Sequence, residues 1–285
     1  MSVIFCDSNC ELWFNKAEEL GLKVISMPYT LKGEEYYYDL GKNTNFKAFY
    51  QAVREKNMPK TSALNEANYI EYFEPYFQKG EDILYISFSS QLSATFSFMQ
   101  SAVQTLKEKY PQATFTWFDT KSISMGAGLQ VYEGAKYLRE GHTIPETVAF
   151  LESFRDKVST IFMASDLNHL KRGGRLTSAA AFVGTLLSIK PIIMVNAEGK
   201  LVVKSKELGA KKAFAIMVQE VIHKADISYP VVILNADDEE HASQVNQMIT
   251  EKLPEAEIWQ QPVGPVIGTH CGPDTIGIVY VKKEN

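Results

Sequence analysis

One stretch, residues 83–101, constrains the fold more than any other part of the chain. Residues 83–88 form a short apolar run of the kind found in buried strands. Three serines, Ser89, Ser90 and Ser93, follow this run, and apolar residues then recur at alternating spacings of four and three, which places them on one face of a helix. These apolar residues are Leu92, Phe96, Met99, Val103 and Leu106. The stretch therefore predicts a buried strand, a hydroxyl-rich turn and a helix.

The serine turn has two interpretations. A helix N-terminus carries free backbone N–H groups and a partial positive charge, so hydroxyls placed there suit an anion such as a phosphate or a carboxylate. The alternative is that Ser90 or Ser93 only caps the helix. Thr61 and Ser62 form a second hydroxyl pair, before a helix predicted to begin near Asn65, and the same two interpretations apply to them.

Strands and helices alternate through the first half of the chain, a pattern that favours a mostly parallel sheet. Predicted strands at residues 3–6 and 114–118 flank the central one. In such sheets, ligands bind at the carboxyl ends of the strands. Asp7, residues 89–93 and Asp119 all follow strand ends, so we expect them to share one edge of the sheet.

The pattern changes near Val158. Residues 191–195 and 201–205 are two strand-like runs joined by a short turn, which predicts a hairpin, and crossover patterns follow. We therefore predict an α/β protein of two domains. The N-terminal domain, 1–157, has a mostly parallel sheet with flanking helices, and the C-terminal domain, 158–285, has a mixed sheet.

Charge and hydropathy exclude several classes of protein. The net charge of −5 argues against general nucleic-acid binding. The N-terminus lacks a basic start followed by a long apolar run, so no signal peptide is expected. The longest apolar segment, residues 179–189, is interrupted by Gly184, Thr185 and Ser188 and is too short to span a membrane. We expect a cytoplasmic protein.

The three cysteines, Cys6, Cys10 and Cys271, suit a reducing compartment better than a disulfide framework. Together with His270 they form a weak candidate zinc set, because the Cys-x3-Cys spacing lacks a second pair. A small buried apolar role for Cys6 at a strand end is the preferred interpretation. No metal and no cofactor are predicted.

Two further segments carry groups that can bind an anion. Arg172 and Arg175 flank two glycines, and their forked donors either hold an anion or form a solvated basic turn. His270 lies within residues 264–273, a segment rich in glycine and proline that we expect to be a loop. A histidine in such a loop can approach a ligand closely, and we favour a functional role for it.

The alternative to a binding protein is a serine-dependent enzyme acting on a small acyl substrate. Ser93 lacks the Gly-x-Ser-x-Gly elbow that activates a nucleophile in the α/β-hydrolases. Gly126 and Gly128 form a GxG without the third glycine of a dinucleotide fingerprint, so close helix packing is the favoured explanation. The chain has parts that bind anions but no visible reaction machinery.

Six short segments, in order along nearly the whole chain, together resemble the DegV family. They are 7–8 (Asp-Ser), 61–62 (Thr-Ser), 89–95 (Ser-Ser-Gln-Leu-Ser-Ala-Thr), 119–122 (Asp-Thr-Lys-Ser), 170–175 (Leu-Lys-Arg-Gly-Gly-Arg) and 267–273 (Ile-Gly-Thr-His-Cys-Gly-Pro).

The resemblance implies a two-domain α/β protein that holds a long-chain fatty acid between its domains. Several family members are the fatty acid-binding subunit of bacterial fatty acid kinase. They present the carboxyl group to a separate kinase subunit, which makes an acyl phosphate for phospholipid synthesis. By this resemblance the chain is a lipid-binding carrier and not itself an enzyme, and its partners are the fatty acid, the kinase subunit and, transiently, a membrane surface.

The resemblance also implies roles for individual residues. Those expected to bind the carboxyl group are Thr61, Ser62, Ser93, His270 and the backbone N–H of Ala94. Arg172 or Arg175 is expected in a nearby network or in docking of the kinase subunit.

The chain departs from the family pattern in two places. The family usually has Thr-Ser-Gln-Pro-Ser where this chain has Thr-Ser-Ala-Leu-Asn at residues 61–65, and it usually has glycine in place of Ala94. An alanine there is acceptable if its φ angle is negative.

Overall fold

The chain forms two α/β units in a computed structural model that describes residues 2–176 and 189–284. The first unit consists of Met1–Thr44 and Lys60–Arg155, and the second of Asn45–Pro59 and Asp156–Asn285. The first contains a parallel sheet and the second a mixed sheet, which confirms the predicted fold class.

The strands of the first unit are β1 Ser2–Asp7, β2 Lys23–Ile25, β3 Pro28–Leu31, β4 Glu34–Tyr37, β5 Lys60–Thr61, β6 Asp82–Ser87 and β7 Phe115–Asp119. They form a four-stranded parallel sheet of order β2-β1-β6-β7 and a small antiparallel sheet of order β4-β3-β5. The helices of this unit are α1 Phe14–Glu19, α3 Glu66–Phe77, α4 Thr95–Lys109, α5 Met125–Arg139 and α6 Ile144–Arg155.

The strand, turn and helix predicted for residues 83–101 are present as β6, a short 3₁₀ turn and α4. The buried face of α4 includes Phe96, Met99 and Val103, as the spacing predicts, and Phe96 stacks on Trp117 with ring centroids 5.4 Å apart. Leu92, in contrast, belongs to the 3₁₀ turn and not to the helix. The apolar face of α4 thus holds the helix against the sheet.

The first helix starts later than its sequence predicts. Residues 11–20 predict a helix after the first strand, but α1 begins at Phe14, because Ser8–Cys10 form a 3₁₀ turn that ends at Glu11 in the left-handed region (φ 53°). A left-handed residue cannot continue a right-handed helix.

The strands of the second unit are β8 Val158–Met163, β9 Ile189–Val195, β10 Leu201–Leu208, β11 Val231–Asn235, β12 Ile258–Pro262 and β13 Ile276–Val281. They form a six-stranded mixed sheet of order β10-β9-β8-β13-β11-β12, which includes the predicted β9–β10 hairpin. The helices of this unit are α2 Phe46–Arg54, α7 Leu167–Gly173, α8 Ala210–Lys224, α9 Glu239–Thr250 and α10 Pro265–Cys271. Helices α8 and α9 pack on one face of the sheet, in a cluster that includes Ile161, Ile192 and Ile233.

The division of the chain differs from the predicted 1–157 and 158–285 in two ways. The first unit ends at Arg155, and the segment Asn45–Pro59, which contains α2, belongs to the second unit. The hydroxyl of Tyr50 donates to the carbonyl of Val263 at 2.8 Å. Arg54 forms ion pairs with Asp237 and Asp274. These partners are about 200 residues away along the chain, so a local sequence pattern cannot predict the contacts of α2 with them.

Within the described residues, no helix is both long and apolar enough to cross a bilayer. All but the last residue of the apolar segment 179–189 lies outside the described part of the chain.

Candidate functional site

Two carboxylates hold the serine turn between β6 and α4. Asp7, at the end of β1, accepts hydrogen bonds from the Phe88 N–H and the Tyr85 hydroxyl, each at 3.1 Å. Asp119, at the end of β7, accepts from the Ser90 N–H at 3.3 Å. The three strand ends therefore share one edge of the parallel sheet, as predicted.

Asp7 is completely buried, and this burial raises the pKa of its carboxyl group to about 7. The hydrogen bonds from Phe88, Tyr85 and the Asn9 N–H oppose the shift because they stabilise the charged form. Burial has the larger effect, so a proton on Asp7 is lost only near neutral pH.

Ser93 and Ala94 present hydrogen-bond donors at the start of α4. Ser93 has extended backbone, and its Oγ accepts from the Thr95 N–H at 3.2 Å, which leaves its hydroxyl proton to donate. The Ala94 N–H has no acceptor among the described residues. The φ angle of Ala94 is −77°, so alanine replaces the usual glycine without strain.

The capping alternative is correct in part for the serine turn. Ser89, which we did not propose as a cap, accepts from the Gln91 N–H and caps the 3₁₀ turn. Ser93 bonds to the first turn of α4, although the N-cap position itself is Ala94, which has no capping side chain. Capping and anion binding are compatible here because a hydroxyl both accepts and donates.

For Thr61 and Ser62, the capping interpretation is wrong. Thr61 lies in β5, and Ser62 is exposed. The helix that follows is capped by Asn65, which exchanges reciprocal hydrogen bonds with Asn68. The segment is attached to the start of α4 by the Thr95 hydroxyl, which donates to the Leu64 carbonyl at 3.4 Å.

In the second unit, the predicted loop around His270 is wrong, since residues 265–271 form helix α10. Pro265 occupies the first turn, where its missing N–H costs nothing, and Gly272 (φ +75°) follows the last residue. The proline and glycines that suggested a loop are thus the start and stop signals of a short helix. His270 lies in its last turn.

Two histidines join α7 to α10 by reciprocal contacts with glycines. The ring of His270 lies against Gly173, where an added Cβ would overlap Nδ1. The ring of His169 lies against Gly272 in the same way, and it forms a hydrogen bond with the Thr269 backbone. The double-glycine turn therefore makes room for His270.

Burial and the nearby positive charge of Arg175 lower the pKa of His270 to about 4, so its imidazole is neutral at physiological pH. Burial and the charge of Arg172 lower the pKa of His169 as well. The guanidinium of Arg175 donates to the Gly173 carbonyl, whereas Arg172 is exposed. The two arginines thus lie in different environments, and Arg175 is the one beside His270.

The structure brings the predicted residues together within each unit. Ser93 and Ala94 lie at the start of α4, which is bonded to the segment after Thr61, and His270 lies beside Arg175. That His270 shares a ligand with the first-unit residues stays a prediction. His169 was not among the predicted site residues, because no motif of the sequence singles it out. It lies four residues before Gly173 and therefore on the same face of α7.

Among the described residues, no three histidine, cysteine or acidic side chains are grouped so that they could hold a metal ion. Cys6, Cys10 and Cys271 are buried and form no disulfide bond. The weak zinc alternative therefore has no support within this part of the chain.

Comparison with protein families gives a match over residues 1–283 to the family described as "Uncharacterised protein, DegV family". A DegV domain-containing protein from Clostridium perfringens is 36% identical over 282 residues, which cover 98% of this chain and 97% of that protein.

Two solved structures share the fold. A fatty acid binding DegV family protein from Streptococcus agalactiae has a TM-score of 0.85 and 26% identity, covering 100% of this chain and 99% of that one. DegV from Bacillus subtilis, described as a fatty acid binding protein, has a TM-score of 0.85 and 26% identity, covering 99% of both chains.

Proposed function

Because the chain belongs to the DegV family, we propose that it binds a long-chain fatty acid and presents the carboxyl group to a separate kinase subunit for acyl phosphate formation. Fatty acid binding is supported by the structural relatives from Streptococcus agalactiae and Bacillus subtilis, which are described as fatty acid binding proteins. The presentation to a kinase, and the carrier role without catalysis of its own, rest on the resemblance to the family's kinase-associated members.

The observation that carries the proposal is the pair of donors at the start of α4. The Ser93 hydroxyl and the Ala94 N–H lie at the positive end of a 15-residue helix, where a carboxylate is stabilised. The Thr61 hydroxyl, from the adjoining segment, and the exposed Ser62 are the further first-unit contacts that we propose. The sequence Ser-Ala-Thr at residues 93–95 thus supplies a side-chain and a backbone donor from two successive residues.

His270 suits the same ligand because its imidazole is neutral. A neutral imidazole has one N–H to donate to a carboxylate, and its protonation state does not change near pH 7. Arg175 beside it adds a positive charge that attracts the anion without pairing with it directly. We propose His270 as a contact of the carboxyl group and Arg175 as part of its electrostatic surroundings.

The free energy of binding a fatty acid depends on hydrogen-bond donors for its carboxylate as well as on burial of its acyl chain. An acyl chain of about sixteen carbons gains roughly 12 kcal/mol in gross terms on burial, at about 0.8 kcal/mol per CH₂. The ordering of chain and protein reduces this gain. The free-energy cost of burying a carboxylate without hydrogen-bond partners would offset much of the net gain from the acyl chain. The hydroxyl, amide and imidazole donors are needed to avoid that cost.

The test is solvent extraction of the purified protein followed by mass spectrometry, for the native chain and for the variant Ser93→Ala. We expect about one fatty acid per native chain and a clear reduction in the variant, with an unchanged circular dichroism spectrum. Ser101→Ala is the matched control, because Ser101 is exposed on the same helix. It should retain as much lipid as the native chain.

The kinase step needs its own measurement. A DegV-associated fatty acid kinase subunit, supplied with ATP and the lipid-loaded protein, should form acyl phosphate, and the Ser93→Ala variant should form less. A native protein that holds no lipid but hydrolyses a p-nitrophenyl ester, with loss of turnover in Ser93→Ala, would favour the serine-dependent enzyme instead.

A further inference from the structure

A half-open groove of about 670 Å³ lies in the first unit, and none of the residues that line it is a proposed carboxyl contact. It is bordered by α3, by strand β2 and by Tyr37 of β4. The buried side chains of Phe5, Leu22 and Leu64 contribute apolar surface to it. Its volume is within the range of protein sites that bind ligands.

Two strand edges adjoin this groove. β2 is the last strand of the parallel sheet and β4 the last strand of the small antiparallel sheet, so in the described part of the chain each has one unpaired edge. All four residues of β4 are exposed, and Tyr36 and Tyr37 keep 40% and 50% of their surface accessible. A free strand edge beside an apolar groove is the geometry to which extended peptides add.

The groove also carries negative charge without a cationic partner. The Tyr37 hydroxyl donates to Glu35 at 3.0 Å, and the Glu71 carboxylate is near enough to contribute to the raised pKa of Tyr37, after the larger effect of Glu35. Among the described residues, neither Glu35 nor Glu71 forms an ion pair, although several other glutamates pair with lysines. Of the described residues that line the groove, Lys23 is the single cation, and it forms an ion pair with neither carboxylate.

Helix α3 adds a backbone acceptor at the same place. Pro75 lies inside the helix and has no N–H, so the Glu71 carbonyl lacks its ordinary donor four residues later. Both residues line the groove. Glu71 therefore offers a carboxylate and an under-used carbonyl, which are acceptors suited to a guanidinium or an ammonium group.

We propose that this groove docks an extended segment of a partner protein in which basic residues alternate with apolar ones. The segment lies along a free strand edge, its apolar side chains fill the groove, and its arginine or lysine side chains bond to Glu35 and Glu71. Alternation fits because successive side chains of a strand point to opposite faces. The proposal does not depend on fatty acid binding, since it uses none of those residues.

The probe is a fluorescein-labelled heptapeptide of alternating arginine and valine, titrated with the full-length protein and followed by fluorescence anisotropy. A heptapeptide with glutamate in place of arginine is the charge control. We expect saturable binding of the basic peptide only, weakened by added salt because the charges are exposed. Glu71→Gln should weaken binding roughly tenfold, equivalent to 1.4 kcal/mol.

The matched control is Glu152→Gln, since Glu152 is exposed on α6 and forms no ion pair among the described residues. Its affinity should equal that of the native chain. Tyr37→Ser, at an exposed position, should also weaken binding of the basic peptide. It serves as the second test variant in case Glu71→Gln disturbs folding. Equal binding of both peptides, absence of saturable binding, or unchanged affinity in both groove variants would overturn the proposal. A monomer–dimer equilibrium in sedimentation velocity that Tyr37→Ser abolishes would also overturn it, because a second copy would then be the occupant.

Discussion

The imidazole of His270 lies directly against Gly173, so that any side chain at position 173 would overlap its Nδ1 atom. His169, on the same helix as Gly173, lies in the same way against Gly272, just after the helix that carries His270. The two contacts are reciprocal and fix α7 and α10 to each other. The direction of the His270 ring therefore depends on two glycines as much as on its own helix.

Gly173→Ala should lower the free energy of unfolding by about 1–3 kcal/mol, the usual cost of overpacking, and should reduce the fatty acid retained on purification. Gly173 has no positive φ, so the added methyl group and its overlap with His270 are the cause. Urea denaturation and mass spectrometry of the extract measure the two effects. Gly277→Ala is the control, since a Cβ there would lie 3.5 Å from its nearest neighbours. Equal behaviour of the two variants would contradict the role given to the His270 contact.

The sequence was sufficient for the central strand, turn and helix and for the hairpin of the second unit, because apolar periodicity is a local property. The run at residues 83–88 and the spacing of Phe96, Met99 and Val103 are found where they were predicted. The predictions that were wrong concern segments whose local sequence signals fit more than one structure. Pro265 and Gly272 mark a helix as readily as a loop, and the left-handed Glu11 that delays α1 has no composition signal.

The candidate site was predictable to a smaller extent. Strand ends of a parallel sheet meet at one edge, so the grouping of Asp7, Asp119 and the serine turn followed from topology. The pairing of His169 with Gly272 joins segments about 100 residues apart, and only the folded chain shows it. Periodicity along one helix cannot show which distant segment its face meets.

His270→Gln should make the stability of the protein less dependent on pH in the acidic range. The folded-state pKa of His270 is lowered from 6.5 to about 4, so the unfolded chain binds a proton that the folded chain excludes. The free energy of unfolding of the native chain should therefore fall as the pH drops from about 6.5 to about 4, by on the order of 2 kcal/mol from this group. Urea titrations at pH 4.5, 5.5 and 7.5 measure the difference. His223→Gln, at an exposed histidine, is the matched control variant.

Asp7→Asn tests the opposite case, a buried carboxyl whose folded-state pKa is raised to about 7. The folded chain keeps this proton over a range where the unfolded chain has lost it. The free energy of unfolding should thus fall as the pH rises from about 4 to about 7 and then level off. Asp7→Asn should lack this pH-dependent contribution to stability. Its free energy of unfolding at pH 5 should be about 1–3 kcal/mol below that of the native chain, because asparagine offers one acceptor oxygen to the three donors that Asp7 satisfies.

Denaturation of the native chain and Asp7→Asn at pH 5 and pH 8 gives the comparison, with Asp156→Asn as a control at an exposed aspartate. The stability gap between the native chain and Asp7→Asn should narrow at pH 8. A gap of the same size at both pH values would show that the Asp7 proton is not linked to folding.

Two residues of the segment 61–65 are expected to have different roles, Asn65 in stabilising α3 and Thr61 in binding the carboxyl group. Asn65→Ala removes the cap of α3 and should lower the free energy of unfolding by about 1 kcal/mol, with no change in retained fatty acid. Thr61→Val keeps the shape and strand preference of the side chain but removes its hydroxyl, so it should reduce the retained fatty acid at nearly native stability. Thermal unfolding and extraction of both variants measure the two properties on the same samples. If Asn65→Ala released as much lipid as Thr61→Val, the Thr61 effect would reflect the conformation of the segment and not a contact with the carboxyl group.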